Sequence, residues 1–295
     1  TMNLDLKKKE PTVVNGNVKI KRIDDKNLRK GANVLVVSEQ GLGDTLQFMR
    51  YVPFLRSQGI KVSFSAQTKL HSLIKASGID PNPLSPEELN TFSEDQWMPL
   101  LSLPRYLKVR PKNVIINNPY IFSTDELIKK WKNILKEEKR TIIGINWKGS
   151  PNSDYTGRSL SLETFSTIAN NENIKLLSLQ KGFGSEQLEH CSFKKEFVKC
   201  QSEINYIWDF LENAAIIENC DLIITSDTSI AHLAGGMGKP TWLLLHHIPD
   251  WRWGLAGENT FWYPSMKLFR QKEPHNWYEV MGRVSNKLKA AISPK

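Results

Sequence analysis

The chain has 295 residues, 40% hydrophobic and 24% charged, which allows one large or two ordinary domains and suits a soluble globular protein. No apolar run approaches the ~20 residues of a membrane span, and no hydrophobic signal segment follows the first lysines. Three cysteines (Cys191, Cys200, Cys220) with no close pair give neither a disulfide framework nor a zinc spacing. The chain therefore reads as cytoplasmic. Its net charge of +9 asks for an anionic partner. The positive residues are scattered, with small clusters at Lys7–Lys9, Lys129–Lys132 and Lys136–Arg140, and no nucleic-acid-binding signature accompanies them. Nucleic acid is not expected. A phosphorylated small molecule and a weak contact with an anionic membrane face remain, the latter placing the protein peripherally at the inner face of the membrane.

Residues 1–30 are polar and lysine-rich and read as an arm. "NVLVVSEQ" (33–40) has the alternation of a buried strand, and "GLGDTLQFMRYVPFLRSQG" follows with apolar residues at helical spacing. Pro53 should kink or restart that helix. "KVSFSAQ" is a strand and "LHSLIKASG" a short helix; residues 80–113 hold several prolines and read as loops. "VIINN" is a candidate strand and "TDELIKKWKNILKEE" a helix. A second βα series opens at "TIIGINWKG" (141–149). It runs through a helix from Ser161, the strand "IKLLSLQKG" and a helix through "WDFLENAAIIENC". It then reaches "DLIITSDTSIAHLAGGMGKPTWLLLH", a strand–helix–strand unit whose helix should stop at Gly235 and Gly236. In the tail, Trp277, Val280, Met281, Val284, Leu288 and Ile292 fall on one helical face. Two consecutive βα series imply an α/β chain of two Rossmann-like lobes with a cleft between them. The lobes are expected at 31–139 and 140–272, with 273–295 a closing helix.

"GLGDT" (41–45) sits where a dinucleotide fingerprint would, but Leu46 takes the third glycine position and no acidic residue ends the next strand, so NAD is not expected. "GGMGKPT" precedes a strand instead of following one, and Pro240 stands where a P-loop needs Ser or Thr, which excludes an ATPase of that type. The second series carries a better anion site. Lys148 and Arg158 lie in a loop leading to a helix that Ser161 caps, a setting for forked, charge-assisted bonds to a diphosphate. The helix start at Thr228, Ser229 and Ile230 offers free N–H groups to the same ligand. Gln180 and Lys181 lie at a strand end, and Glu186 just beyond is a candidate for a ribose hydroxyl. No D-x-D occurs, so neither a metal nor another cofactor is expected.

"EQGLGDTLQFMRYVPFL", "GINWKGSPNSDYTGRSLSLETF", "LSLQKG", "DLIITSDTSIAHLAGGMGKPTWLLL", "DWRWG" and "WYPSMKLFRQ" occur in this order. Together they closely resemble the glycosyltransferase domain found behind tetratricopeptide repeats in many bacterial proteins. That domain is similar to the ADP-heptose lipopolysaccharide heptosyltransferases of glycosyltransferase family 9. The resemblance runs from about residue 33 to the end. It implies a GT-B fold of two facing Rossmann-like lobes, with the donor nucleotide on the second and the acceptor on the first. It also implies inversion at the sugar carbon without metal and a closing helix that returns to the first lobe. Asp44 matches the family's base, with Gly41, Gly43 and Gln47 around it on the acceptor side. Arg158 matches the diphosphate contact, and Asp227, Thr228 and His232 match the contacts to donor phosphate and sugar. The expected partners are a nucleoside-diphosphate sugar and a glycan, lipid-linked or protein acceptor. The plainer readings are that Asp44 and Asp227 only cap helices, that His232 is structural, and that Trp251, Trp253 and Trp262 are packing residues. A non-catalytic module that binds nucleotide sugars is the alternative function.

Overall fold

The computed structural model describes residues 21–23, 28–91, 96–115, 118–151 and 157–292. It divides into two units, residues 1–116 and 117–295. Most of the expected polar arm, including Lys7–Lys9, and the centre of the 148–160 loop lie outside the described residues.

The first unit contains β1 (Lys21–Arg22), β2 (Asn33–Val37), α1 (Leu42–Phe48), α2 (Tyr51–Ser57), β3 (Lys61–Ser65), α3 (His71–Ala76), β4 (Gln96–Pro99) and α4 (Leu103–Tyr106). Its strands are all parallel, in the order β1-β4-β2-β3. Strands covered on both faces need continuous apolar runs, and Val34–Val37 are all buried. The helix after β2 breaks at Met49–Arg50 and restarts, with Pro53 in the first turn of α2, where its missing N–H costs little. Two expectations change here. Residues 80–113 are not only loops, because β4 lies between β1 and β2. "VIINN" forms no strand in its described part, where Ile115 has φ +67°.

The second unit contains α5 (Asp125–Leu135), β5 (Thr141–Asn146), α6 (Ser166–Ala169), β6 (Ile174–Ser178), α7 (Gln187–His190), α8 (Gln201–Asn205) and α9 (Phe210–Glu218). It continues with β7 (Leu222–Ser226), α10 (Ser229–Gly236), β8 (Thr241–Leu245), β9 (Met266–Arg270) and α11 (Trp277–Ala291). The parallel sheet runs β6-β5-β7-β8-β9. That is the doubly wound order in which the second strand lies outside the first, so the connections diverge between β5 and β7.

The expected boundary at 139/140 moves to 116/117. The cause is local. Asn219 Nδ2 donates to the Ile128 carbonyl (3.1 Å), and the buried Trp131 donates its indole N–H to Glu212 (3.0 Å), tying α5 to α9 and the turn after it. The N–H groups of Tyr120 and Ile121 both donate to the Gly236 carbonyl at 2.9 and 3.2 Å. The closing helix is corrected in the same way. Trp277, Val280, Met281, Val284 and Leu288 lie in the second unit's own core with Phe165, Ile168 and Phe269, so the face expected to return to the first lobe is used here.

Gly235 and Gly236 are the last residues of α10, as expected, and the turn follows at Gly238, φ +75°. They serve close approach: a Cβ on Gly235 would lie 2.7 Å from the Tyr263 ring, and one on Gly236 would lie 2.4 Å from Ile121 Cδ1. Among the described residues no helix is long and apolar enough to cross a membrane.

Candidate functional site

In an open parallel sheet, ligands bind beyond the carboxyl ends of the strands where the connections diverge. In the second unit that point lies between β5 and β7, where Asn146 pairs with Thr225. Asn146 Oδ1 accepts from Thr228 Oγ1 (2.9 Å) and Thr225 Oγ1 (3.4 Å), linking the two strand ends. Its Nδ2 donates to Gln180 Oε1 (2.9 Å), which also accepts from the N–H groups of Trp147 (3.1 Å) and Lys148 (3.0 Å). Gln180 Nε2 donates to the carbonyls of Lys148 (3.0 Å) and Phe183 (2.8 Å). Expected at the donor, Gln180 instead spends its amide on the backbone that carries Lys148.

Thr228 caps α10 in an extended conformation, but its hydroxyl is drawn to Asn146 and makes no cap bond. The first turn of α10, with Ser229 and Ile230, is thus not closed by its own cap and keeps the anion-binding character of a helix N-terminus. His232 lies one turn further on, buried; its Nδ1 is 2.9 Å from Tyr263 Oη and its ring stacks on Trp253 at 5.5 Å.

Asp227 is 8% exposed, and burial raises its carboxyl above the usual carboxylate range. The indole of Trp253 opposes that rise from nearby, although its N–H makes no hydrogen bond of good geometry. Asp250 reinforces the rise, while Arg158 and Arg252 oppose it. A buried acid of this kind suits sugar hydroxyls better than phosphate. Arg158 lies against Gly149, where a Cβ would come 3.1 Å from Nη2. The Lys148 ammonium sits 4.5 Å over the Phe183 ring, its stem against Gly184 at φ +91°. Lys181 donates to the Ile204 carbonyl, with burial lowering its pKa to about 8, and Glu186 is exposed at the start of α7. These last two are not drawn to the β5–β7 ends by any described bond.

In the first unit the connections diverge between β2 and β4. Glu39, just past β2, bridges to β4's end by accepting from the N–H groups of Leu100 (3.1 Å) and Leu101 (3.3 Å). Burial pushes its carboxyl up to about 7, with the Asp44 charge adding to the effect. Asp44 is half-buried in the first turn of α1 and accepts from the Gly41 N–H (3.0 Å). Gln67 pins the same turn, accepting from Thr45 Oγ1 (2.8 Å) and donating to the Gln40 carbonyl (2.8 Å). Gly41 is exposed and Gly43 half-buried, whereas Gln47 is fully buried, with its carbonyl accepting from Arg50 Nε (2.7 Å).

Sequence reasoning missed Asn146, Trp253, Tyr263 and Glu39. "DWRW" and "WYP" had carried the resemblance with no site role, and nothing local marks Asn146 or Glu39. Of the three tryptophans read as packing, Trp253 and Trp262 are buried and Trp251 is 64% exposed.

Two Rossmann-like parallel units in one chain define a GT-B fold. No protein-family model matches the chain. Among solved structures it is similar to a glycosyl transferase family 9 protein from Veillonella parvula. The TM-score is 0.56 at 12% identity, covering 92% of this chain and 93% of that one. It is also similar to Escherichia coli ADP-heptose lps heptosyltransferase II, with TM-score 0.54, 10% identity and coverage of 88% and 98%. A third likeness is to TibC of enterotoxigenic E. coli, an iron-containing dodecameric heptosyltransferase solved with ADP-D-β-D-heptose (TM-score 0.55, 11% identity, coverage 90% and 78%). The curated Protein FlbA of Caulobacter vibrioides is 22% identical over 284 residues, 88% of this chain; the chain spans about half of that relative's length, 47%.

The iron of TibC corrects the expectation that no metal takes part. Among the described residues, no three His, Cys, Asp or Glu side chains are gathered so as to hold a metal ion, and no ligand set is assigned.

Proposed function

We propose that the protein is an inverting glycosyltransferase that moves a sugar from a nucleoside-diphosphate donor to a hydroxyl acceptor. The observation that carries this reading is the convergence at the β5–β7 strand ends. There the uncapped first turn of α10, Arg158 and Lys148 offer N–H groups and positive charge to a diphosphate. The fold likeness to glycosyltransferases supports the class. In this reading the acceptor oxygen attacks the anomeric carbon while Asp44 takes its proton, and the bond from that carbon to the diphosphate oxygen breaks. Arg158, Lys148 and the α10 N–H groups hold the charge that grows on the departing nucleoside diphosphate. Asp227 and His232 face the sugar. The acceptor is a glycan, a lipid-linked glycan or a protein, and the basic chain works in the cytoplasm or peripherally at the inner membrane face.

A thermal-shift panel of ADP-, UDP- and GDP-sugars tests the donor, because a ligand of the native state raises the melting temperature. One class should raise it, and none doing so would overturn the reading. Nucleoside diphosphate released in the presence of an acceptor separates the enzyme from a non-catalytic binding module.

A further inference from the structure

In the first unit the ends of β2 and β4 lie side by side, with Val37 paired to Pro99. Beyond them, the chain after β2 passes through Glu39 into α1. The chain after β4 makes a 3-10 turn, Leu100–Ser102, that packs against α1. The first two N–H groups of that turn donate to Glu39, Leu100 to one carboxyl oxygen (3.1 Å) and Leu101 to the other (3.3 Å). Gln67 fixes the same stretch from the β3 side, donating to the Gln40 carbonyl (2.8 Å) and accepting from Ser38 Oγ (3.4 Å). Glu39 is therefore held in one place, beside the helix start that carries Asp44.

Two N–H donors need only an oxygen to accept them, and a Gln amide supplies one without taking a charge out of water. A carboxylate in this place carries a desolvation cost, because burial opposes its ionisation. Its hydrogen bonds therefore do not account for it, and its charge has to. Among the described residues, Asp44 on α1 is the ionisable group that acts on it; the turn after β4 presents N–H groups, and Gln67 is neutral. Repulsion between two carboxylates is mutual. What Asp44 adds to the proton affinity of Glu39, an ionised Glu39 adds to that of Asp44. A base with greater proton affinity takes a hydroxyl proton more readily.

We propose that Glu39 is a positioning residue for the reaction, its carboxylate fixed by the turn after β4 and acting through Asp44 to strengthen that base toward the acceptor hydroxyl. The acceptor's proton goes to Asp44, and Glu39 makes and breaks no covalent bond. This role rests on Asp44 being the base, as proposed above. Glu39 is neutral below about pH 7 and charged above it, so the strengthening belongs to the alkaline side.

Carbon-13 carboxyl titration of the full chain reads the pair without any substrate, the Glu39 signal being identified by its loss in Glu39→Gln. In Asp44→Asn the Glu39 midpoint should fall by about half a pH unit or more. An unmoved midpoint would overturn the proposal. Release of nucleoside diphosphate from the ADP-, UDP- or GDP-sugar selected by melting, with water as the acceptor, then gives kcat against pH. Wild type should gain about two- to three-fold as pH rises through about 7. Glu39→Gln should lose that gain, match wild type below about pH 6 and keep its KM for the donor. A uniform loss at every pH would make Glu39 a structural brace, and an unchanged profile would make it idle; either overturns the proposal and leaves Asp44 as base. Wild-type turnover in Asp44→Asn would instead overturn the base reading, and this role with it.

Discussion

Asp44 and Glu39 are two carboxylates with different surroundings. Both are half-buried; Asp44 is bonded to the Gly41 N–H, and burial raises Glu39 from 4.5 to about 7. In the proposed reaction Asp44 is the base. Asn at position 44 keeps a side-chain oxygen to accept from the Gly41 N–H but cannot take a proton. Asp44→Asn should therefore keep its nucleotide affinity and lose at least about 100-fold in turnover; wild-type turnover would leave Asp44 a cap. For Glu39 the sign follows from linkage. The folded protein keeps a proton that the unfolded chain releases, so this group's contribution to stability falls as pH rises from about 4.5 to about 7. Melting curves of Glu39→Gln and wild type should diverge in favour of the variant on going from pH 5 to pH 8; parallel curves would contradict the raised pKa. In the second unit, Arg158→Ala should weaken nucleoside-diphosphate binding about 10- to 150-fold by titration, as loss of a charged hydrogen-bond partner does.

At the scale of elements, α10 shows how packing overrides propensity. Gly is about 1 kcal/mol worse than Ala in a helix, so Gly235→Ala looks favourable by propensity alone. The Tyr263 ring stands where the new Cβ would go, at 2.7 Å, and that ring holds His232 Nδ1. Forcing atoms into a packed site costs about 1–3 kcal/mol, so chemical denaturation should show the variant to be the less stable protein. A more stable variant would mean that Tyr263 gives way freely. The same element shows what was legible beforehand. Its strand, its start near Thr228 and the D-T-x-x-x-H spacing could be read from 221–232, because each is a local pattern, while the cap read at Asp227 falls instead to Thr228. The end of the helix at Gly236 was legible as well, but the close packing at Gly235 was not, because the ring it admits lies 28 residues further on. β4 was missed for a related reason: four residues ending in proline carry no period, and only pairing with β1 and β2 makes them a strand. Asn146 and Gln180 look unremarkable alone and become a frame only when β5, β6 and β7 are assembled.

For the whole molecule, the chain is divided earlier in its structure than in its patterns. The motifs suggested a boundary at 139/140, since the second βα series opens with β5, yet α5 and α11 both complete the second unit. That unit holds a sheet whose apolar face is closed by its own last helix, and each fully buried large apolar side chain contributes about 1.5–3 kcal/mol. A fragment of residues 117–295 should therefore unfold in one cooperative transition, whereas the same fragment ending at Asn276 should not fold. Calorimetric scans of the two check this, and equal cooperativity would show α11 to be dispensable.

The placement of α11 also bears on synthesis. A chain emerging from the ribosome presents the elements of the first unit complete by residue 116, while the second keeps an apolar sheet face open until Leu288 is made. At about 5–20 residues per second that interval lasts roughly 10–35 s. Through it, the nascent second unit is a sticky half-sandwich, which makes it the part of these two units most dependent on chaperones and the first to suffer when translation stalls before α11 is made.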